Sequence, residues 1–296
     1  MTEMNLAGLL PWGGLAGDPL DGADIVVAGI PYDGSAVYRK GAALAPKRIR
    51  ELSAAMPPIT EDARPLAGLK VHDMGDLDAG NDIEATWSKV ANGLAKVPAS
   101  AFMTVLGGDH CTATATLTTQ RWRHPDLAVL WVDAHPDLCD FSRGGRWTCG
   151  CAMRRALEVS SIGPARVVIA GGRDYDPEEL EFIRARGMLL VSASQLVNDS
   201  GSARMVAEAL AGKSVHVSFD IDVLDPAFAP GTEIPSAGGL STRQAIDFLR
   251  VATADSKLVG LDVVEVSPPF DNGDITTLAA LKLIFEVWGM FWHGKR

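Results

Sequence analysis

Short apolar runs alternate with amphipathic stretches along the whole chain. The apolar runs are continuous and rich in β-branched residues, which is typical of parallel strands that are covered on both faces. They predict strands at residues 24–29, 102–106, 127–132, 166–170, 188–191, 215–219 and 258–264. The stretches between them predict helices at residues 45–55, 83–95, 111–121, 176–186, 202–211, 242–252 and 275–291.

This alternation of strands and helices predicts the fold class. It indicates an α/β domain with three layers, in which a mostly parallel sheet of about eight strands is flanked by helices. A chain of 296 residues has room for one large domain or two small ones. Because no low-complexity linker, repeat or break in composition divides the chain, we expect a single domain over residues 1–296.

The charge of the chain narrows the class of partner. Asp and Glu number 37 and Lys and Arg 27, which gives a formal net charge of −10. Proteins that bind nucleic acid or an anionic membrane carry a basic surface, so we expect neither partner. The first 22 residues contain Glu3 and no Lys or Arg, unlike a secretory signal, and no uninterrupted apolar run predicts a membrane span. We therefore expect a cytoplasmic protein whose four cysteines, all within residues 111–151, are reduced.

Three of the predicted strands are followed directly by unusual groups of polar residues. These groups are Gly-Gly-Asp-His at 107–110, Asp-Ala-His-Pro-Asp at 133–137 and Asp-Ile-Asp at 220–222. Ligands of open α/β sheets bind outside the carboxyl ends of the strands, so we expect the three groups to meet there. Each group alone has an ordinary interpretation as a turn, a cap or a solvated strand end. Three such groups at strand ends favour a functional site.

The residue types in these groups indicate a metal site. Burying several carboxylates is unfavourable unless they are paired or bind a cation, and the motifs contain no Lys or Arg. Alternate residues of an extended stretch point the same way, so we expect the aspartates and the histidine of 133–137 to share one face. An oxygen-rich set with imidazoles suits Mn²⁺, tolerates Fe, Co or Ni, and is less typical of zinc. The six candidate ligands are His110, Asp133, His135, Asp137, Asp220 and Asp222.

The same motifs resemble the ureohydrolase family, which includes arginases, agmatinases and guanidinobutyrases. The resemblance covers nearly the whole chain and extends to SFDIDVLDP at 218–226, IPYDG at 30–34, GG at 238–239 and VEVSP at 264–268. It implies a single α/β domain with a binuclear manganese site, with nickel in some members. It also implies a homotrimer or homohexamer, with a hetero-oligomer as an alternative.

The resemblance implies roles for individual residues. One metal ion would be held by His110, Asp133, Asp137 and Asp220, and the second by Asp133, His135, Asp220 and Asp222. Glu265 would hold the guanidinium group of a small guanidino substrate through carboxylate hydrogen bonds. A hydroxide between the metal ions would attack the guanidinium carbon, and Asp137 would help to pass a proton to the departing amine. We therefore expect a metal-dependent amidinohydrolase that acts on linear amidines and releases urea or a urea-like product.

Two short segments depart from the family pattern. Cys149 stands where family members commonly have a histidine that shuttles protons or binds substrate. A thiol has an ordinary pKa of ~8.5, against ~6.5 for imidazole. Glu233 and Ile234 stand in GTEIP at 231–235, where members commonly read GTGTP. We interpret these differences as a changed substrate, such as a substituted guanidine, a biguanide or a guanidino acid. Drift in a tolerant pocket and a partly degenerate active site are the alternatives.

Residues for the substrate tail are predicted in two loops. Arg143 and Arg146, in the loop at 138–147, could bind a carboxylate of a guanidino acid, or they could lie on a solvated loop. Asp174 and Asp176 could contact a substrate amine, but caps for the following helix are an equal alternative.

Two other classes of function compete with an active amidinohydrolase. The first is a metal-binding, weakly active or inactive subunit of a hetero-oligomeric ureohydrolase. The second is an acyl-amide hydrolase on a related metal fold. The second is the weaker one, because that fold usually holds one metal ion and leaves Glu265 without a task.

Overall fold

A sheet of eight parallel strands forms the centre of the computed structural model, which describes residues 8–199 and 201–294. The strands are β1 (Ile25–Gly29), β2 (Val71–Asp76), β3 (Phe102–Leu106), β4 (Ala128–Val132), β5 (Val167–Gly172), β6 (Leu189–Ser192), β7 (Ser214–Asp220) and β8 (Lys257–Val264). Their order is β2-β1-β3-β8-β7-β4-β5-β6, and all seven neighbouring pairs run parallel. The fold class predicted from the sequence is confirmed.

Helices cover both faces of this sheet. They are α1 (Ala45–Ser53), α2 (Ile83–Leu94), α3 (Ala113–Arg123), α4 (Ala152–Ser160), α5 (Pro177–Arg186), α6 (Ala193–Asn198), α7 (Ser202–Leu210), α8 (Thr242–Ala252) and α9 (Ile275–Gly294). The buried side chains of α1, α7, α8 and α9 belong to one apolar core. Those of α2, α3, α4 and α5 belong to a second core.

The sheet separates these two cores because its side chains alternate. In β1, Ile25 and Val27 enter the core with α1 and α9, whereas Val26 and Ala28 enter the core with α2 and α3. All five residues of this strand are buried. A strand that is apolar on both faces reads as a continuous hydrophobic run, which explains why the sequence pattern locates the inner strands.

The sequence pattern missed three elements. The edge strand β2 has the polar sequence VHDMGD and is mostly half-buried, so it shows no apolar run. In α4 the buried Arg155 lies on the inner face and interrupts the apolar stripe. The six residues of α6 are too few for a helical period, although Ser192 and Gln195 form a capping box at its start.

The long helix α9 is unusually apolar for its length. It is the one helix among the described residues whose length and mean hydropathy, 1.4 over its most apolar window, would allow it to cross a membrane. However, 72% of that window is buried inside the protein, and Leu281, Ile284 and Trp288 belong to the apolar core. This is the arrangement of a core helix. The prediction that the chain start lacks a basic secretory signal partly concerns residues 1–7, which lie outside the residues that the structure describes.

The strand order determines where the polar motifs meet. The four central strands are β3, β8, β7 and β4, and every predicted metal ligand follows or ends one of them. The chain builds β1 to β3 on one side and β4 to β6 on the other, and β7 and β8 then fill the space between. Because the strands are parallel, their carboxyl ends share one edge of the sheet, and this edge carries the site.

Candidate active site

His110 lies at the centre of the site, just after the carboxyl end of β3. Its ring is fully buried and stacks on Trp131 with ring centroids 3.7 Å apart. Its Nε2 lies 2.9 Å from the hydroxyl of Ser218, and this hydrogen bond fixes the orientation of the ring. Its Nδ1 lies 3.0 Å from Asp133 Oδ2, 3.2 Å from Asp220 Oδ2 and 3.4 Å from Asp137 Oδ2.

A second group of polar side chains surrounds His135. Its Nδ1 lies 3.0 Å from Asp222 Oδ2 and 3.5 Å from Asp133 Oδ1. Asp133 therefore presents one carboxylate oxygen to His135 and the other to His110. The His135 side chain is 23% exposed, whereas those of the carboxylates are nearly inaccessible, so His135 forms the accessible side of the site.

The chain from Asp133 to Asp137 is a turn. The strand β4 has already ended, the N–H of His135 donates to Asp133 Oδ1 at 2.7 Å, and Asp137 has a left-handed φ of 55°. The expectation that these residues share one face of an extended stretch is therefore wrong. A bend in the backbone brings them together. Asp220 ends β7, and Asp222 lies in the following 3-10 turn.

The buried carboxylates alter each other's protonation. Burial raises the pKa of Asp137 and of Asp220 well above the usual range, and the neighbouring carboxylates raise it further. Burial would also raise the pKa of Asp133, but the imidazoles of His110 and His135 beside it outweigh this and lower it. Burial would lower the pKa of His110 and His135, but the carboxylates around each ring raise it. Without a cation, the cluster reduces its charge repulsion by holding protons.

This set of donors fits two divalent cations. Among the described residues, His110 Nδ1 and Asp133 Oδ2 have no hydrogen-bond partner although both are buried and 3.0 Å apart. Buried polar atoms without partners are rare in proteins, and an ion would satisfy both. The donor atoms fall into two groups that share Asp133: His110, Asp133 and Asp137, and Asp133, His135 and Asp222. Carboxylates with imidazoles are ligands that Mn²⁺ accepts and that Ni²⁺ tolerates.

Glu265 follows β8 and directs its carboxylate to the same site. Its Oε1 accepts a hydrogen bond from the N–H of His110 at 2.7 Å, and its own N–H donates to the carbonyl of Gly108 at 2.8 Å. Its backbone is left-handed, with φ of 64°, an uncommon conformation that recurs at functional sites. Burial raises the pKa of Glu265, and the neighbouring Glu233 adds to this effect. Its Oε2 has no partner among the described residues, so it is available to a cation.

Gly108 provides a test of how tightly this corner of the site is built. A Cβ at this position would overlap the carbonyl oxygen of Tyr32, so we expect Gly108→Ala to destabilise the fold by about 1–3 kcal/mol. Activity should fall as well, because Gly108 supports the Glu265 backbone. Urea denaturation and a rate assay measure the two effects. Gly163→Ala is the matched control, since a Cβ there meets nothing within 4 Å. Equal stability of the two variants would contradict this packing argument.

The ligand groups and Glu265 open into a cleft of about 310 Å³. This volume suits a small molecule. The cleft is lined by the predicted ligands other than His110 and Asp133, and by residues from several strand-end loops, which include Val37, Cys149, Tyr175, Glu233 and Ile234.

Comparison with known proteins agrees with this geometry. Residues 23–289 match the model of the Arginase family. The chain belongs to the arginase family. It is 37% identical over 286 residues to proclavaminate amidinohydrolase of Streptomyces clavuligerus. This match covers 93% of this chain and 90% of the relative. It is 34% identical over 282 residues to guanidinobutyrase of Pseudomonas aeruginosa, with coverage of 90% and 86%.

The structural comparison gives the same result. The solved structure of proclavaminate amidinohydrolase from Streptomyces clavuligerus superposes with a TM-score of 0.87 and 33% sequence identity. The superposition covers 98% of this chain and 99% of that one. The resemblance to ureohydrolases seen in the sequence motifs is thereby confirmed, and so is the arginase fold.

In this arginase-family chain, the two departures from the family pattern contact each other. The thiol of Cys149 donates to Glu233 Oε1 at 3.7 Å. Burial raises the pKa of this thiol far above its usual value, and the carboxylate of Glu233 raises it further. Cys149 therefore lines the cleft as a protonated donor. It does not have the acid–base character of the histidine that members of the family commonly have at this position.

The predicted tail-binding residues separate into two groups. Arg143, Asp176 and Ile234 line the cleft, and Arg143 is exposed. Arg146 lies outside the cleft lining, because it pairs with Asp140 at 2.9 Å and with Glu158 at 3.6 Å. Asp176 also caps α5 through a capping box, so the cap interpretation is confirmed, and its contact with a substrate amine stays a prediction.

Sequence reasoning missed Arg173, which connects the strand-end loops. Its guanidinium donates to the carbonyls of Asp222 at 2.6 Å, Ser236 at 2.8 Å and Val223 at 3.2 Å. It therefore fastens the loop that carries a metal-ligand candidate. Its acceptors are backbone carbonyls, for which the sequence has no signal. Val37 and Tyr175 were also missed, although both follow predicted strands and the strand-end rule could have found them.

Proposed function

We propose that this arginase-family amidinohydrolase uses two divalent metal ions to cleave a C–N bond of a small guanidino compound, releasing urea or a urea-like product and an amine. One observation carries the proposal. Two groups of metal-binding side chains share Asp133, and the unpartnered Oε2 of Glu265 lies in the same cleft. We propose Mn²⁺ as the usual metal, with Ni²⁺ as the alternative.

The residues that would hold the ions follow from the two donor groups. With Asp220 added to each group, as the family resemblance implies, His110, Asp133, Asp137 and Asp220 would hold one ion, and Asp133, His135, Asp220 and Asp222 would hold the other. When bound, a pair of divalent ions supplies a water molecule of lowered pKa and a polarised substrate carbon. The stacked ring of Trp131 and the hydroxyl of Ser218 keep His110 in place, so the ligand set is prearranged.

The other side chains of the cleft orient the substrate and move protons. Glu265 Oε2 accepts N–H groups of the guanidinium, a charge-assisted contact that favours a planar donor. Asp137 lines the cleft, so its carboxylate can pass a proton to the departing amine. Cys149 stays protonated and donates to Glu233, so it does not serve as the base.

The substrate tail is the part of the proposal that depends on this chain's own departures. Ile234 makes one wall of the cleft apolar, and Arg143 places an exposed cation at its rim. Together they favour a substituted guanidine, a biguanide or a guanidino acid. A guanidino acid would use Arg143 for its carboxylate.

We further propose a cytoplasmic homotrimer or homohexamer, following the family resemblance, with a hetero-oligomer as the alternative assembly. No nucleic acid or membrane is expected as a partner, because the chain is acidic. Size-exclusion chromatography with light scattering measures the assembly.

The test of the proposed reaction is an assay of guanidino compounds with Mn²⁺ and Ni²⁺ in parallel. The panel should include alkylguanidines, biguanides, guanidino acids and agmatine, and the assay should detect both urea and the released amine. Metal-dependent release of both products supports the proposal. Binding of two metal equivalents without turnover of any compound would instead support a weakly active subunit of a hetero-oligomer.

Metal removal should weaken the fold, because the four aspartates of the site then repel each other. Ligand binding to the folded state at 100 times its Kd contributes about 2.7 kcal/mol. For 296 residues, with an unfolding entropy of about 2.1 cal/mol/K per residue, this corresponds to a rise of about 4 °C in Tm for each ion bound. Differential scanning calorimetry of chelated and Mn²⁺-loaded protein measures it. An unchanged Tm on metal addition would contradict a metal site in this cluster.

A further inference from the structure

Glu233 is a buried carboxylate at a position where the family commonly has glycine. It is only 2% exposed and lies in the cleft beside Glu265. Its Oε1 accepts hydrogen bonds from the N–H groups of Val37 at 2.5 Å and Tyr38 at 2.9 Å, and from the thiol of Cys149 at 3.7 Å. One oxygen therefore anchors the loop that follows β1.

The other oxygen of Glu233 has no such role. Glu233 Oε2 is buried and has no hydrogen-bond partner among the described residues, and the same is true of Glu265 Oε2. The two carboxyl groups lie within hydrogen-bond reach of each other, so a proton can be shared between them. When both are ionised, each has one oxygen that accepts from backbone N–H and one oxygen that no donor among the described residues reaches.

Two buried carboxyl groups side by side are stable when they share a proton or when a cation binds between them. Within the described residues, neither Glu233 nor Glu265 forms an ion pair with a lysine or an arginine. Removing such charges from water without a counter-charge is strongly unfavourable. A cation that enters from the cleft, and donates to both free oxygens, would remove this cost.

The shape of that cation follows from carboxylate hydrogen bonding. A guanidinium is planar, and the N–H groups of two neighbouring nitrogens form one edge that matches one carboxylate. A monosubstituted guanidinium keeps two complete edges, an N,N-disubstituted one keeps a single edge, and tetramethylguanidinium keeps none. A second carboxylate is useful only to cations that present a second edge.

We propose that Glu233 is a second cation-binding carboxylate, which together with Glu265 selects planar cations that carry N–H donors along two edges. This inference rests on the proposed function and deepens it, because it identifies the substrate class as guanidines or biguanides that are rich in N–H groups. Glu233 is then a specificity residue, and its loop anchor is a separate task of the other oxygen.

Direct binding tests this inference without requiring turnover. Isothermal titration calorimetry of the metal-loaded protein with methylguanidine, N,N-dimethylguanidine and tetramethylguanidine compares cations of equal charge. These cations present two, one and no complete N–H edges, respectively. We expect wild-type protein to bind methylguanidine about tenfold more tightly than the dimethyl compound, and the tetramethyl compound most weakly, since charge-assisted hydrogen bonds are lost in turn. Equal affinity for all three, or no binding of any, would overturn the proposal.

The variant Glu233→Gln separates the two tasks of this side chain. Its amide oxygen can still accept from Val37 and Tyr38, so the loop anchor is kept while the charge is lost. We expect the preference for methylguanidine over dimethylguanidine to fall from about tenfold to less than threefold. A uniform loss for all cations would show that Glu233 has only a structural role. Glu84→Gln, on the exposed first turn of α2, is the control for loss of one charge.

The two proposals can fail separately. If no guanidino compound is hydrolysed but the edge preference is present and depends on Glu233, the proposed reaction fails and the carboxylate pair stands. If turnover is found but Glu233→Gln leaves the preference unchanged, the proposed reaction stands and the carboxylate pair is rejected.

Discussion

We expect Asp133→Ala to remove both metal ions and to lower activity by about 1,000-fold or more. Asp133 presents one oxygen to His110 and the other to His135, so its loss takes a ligand from both donor groups. Metal ions contribute several kcal/mol to catalysis of this kind, and each 1.36 kcal/mol is a factor of ten in rate. Metal analysis by mass spectrometry and a rate assay on the same sample measure both effects.

The control for Asp133→Ala is Asp78→Ala. Asp78 is exposed and pairs with Lys89 on the surface, a contact that contributes little to stability. Metal content and activity of this control should equal those of the wild type. Wild-type activity in Asp133→Ala, with one metal ion or none bound, would reject the shared-ligand mechanism.

Glu265→Gln should lower kcat/KM by about 100-fold to 1,000-fold and leave the metal content unchanged. The amide keeps an oxygen that can accept from the N–H of His110, so the ligand geometry survives. What is lost is the charge that binds the guanidinium, and removing one partner of a buried charge pair costs about 2–5 kcal/mol. Steady-state kinetics and metal analysis together measure this.

The metal content decides how Glu265 acts. If Glu265→Gln also loses metal, the residue works mainly by holding His110 in position. If both kcat/KM and metal content stay at the wild-type level, Glu265 does not bind the substrate cation. Glu84→Gln again controls for the loss of one carboxylate far along the chain.

The fold could be predicted from the sequence as far as local patterns carry information. The inner strands are buried on both faces, so each reads as an apolar run, as in the fully buried β1. The edge strand β2 lacks this signal because one of its sides is open. The strand order could not be predicted, since nothing in β7 or β8 alone indicates that they insert between β3 and β4.

The metal-ligand candidates could be predicted because each follows or ends a central strand. Their local geometry could not, because the turn at Asp137 depends on a left-handed residue that the sequence does not mark. The contact between Cys149 and Glu233 was also beyond the sequence. These residues are 84 positions apart, and only the fold makes the two departures neighbours.

The central claim is that the ends of β3, β4 and β7 hold two metal ions beside Glu265. Anomalous diffraction from crystals grown with Mn²⁺ or Ni²⁺ tests it most directly. We predict two peaks, one among His110, Asp133, Asp137 and Asp220, and one among Asp133, His135, Asp220 and Asp222. A single peak, or peaks away from Asp133, would contradict the account.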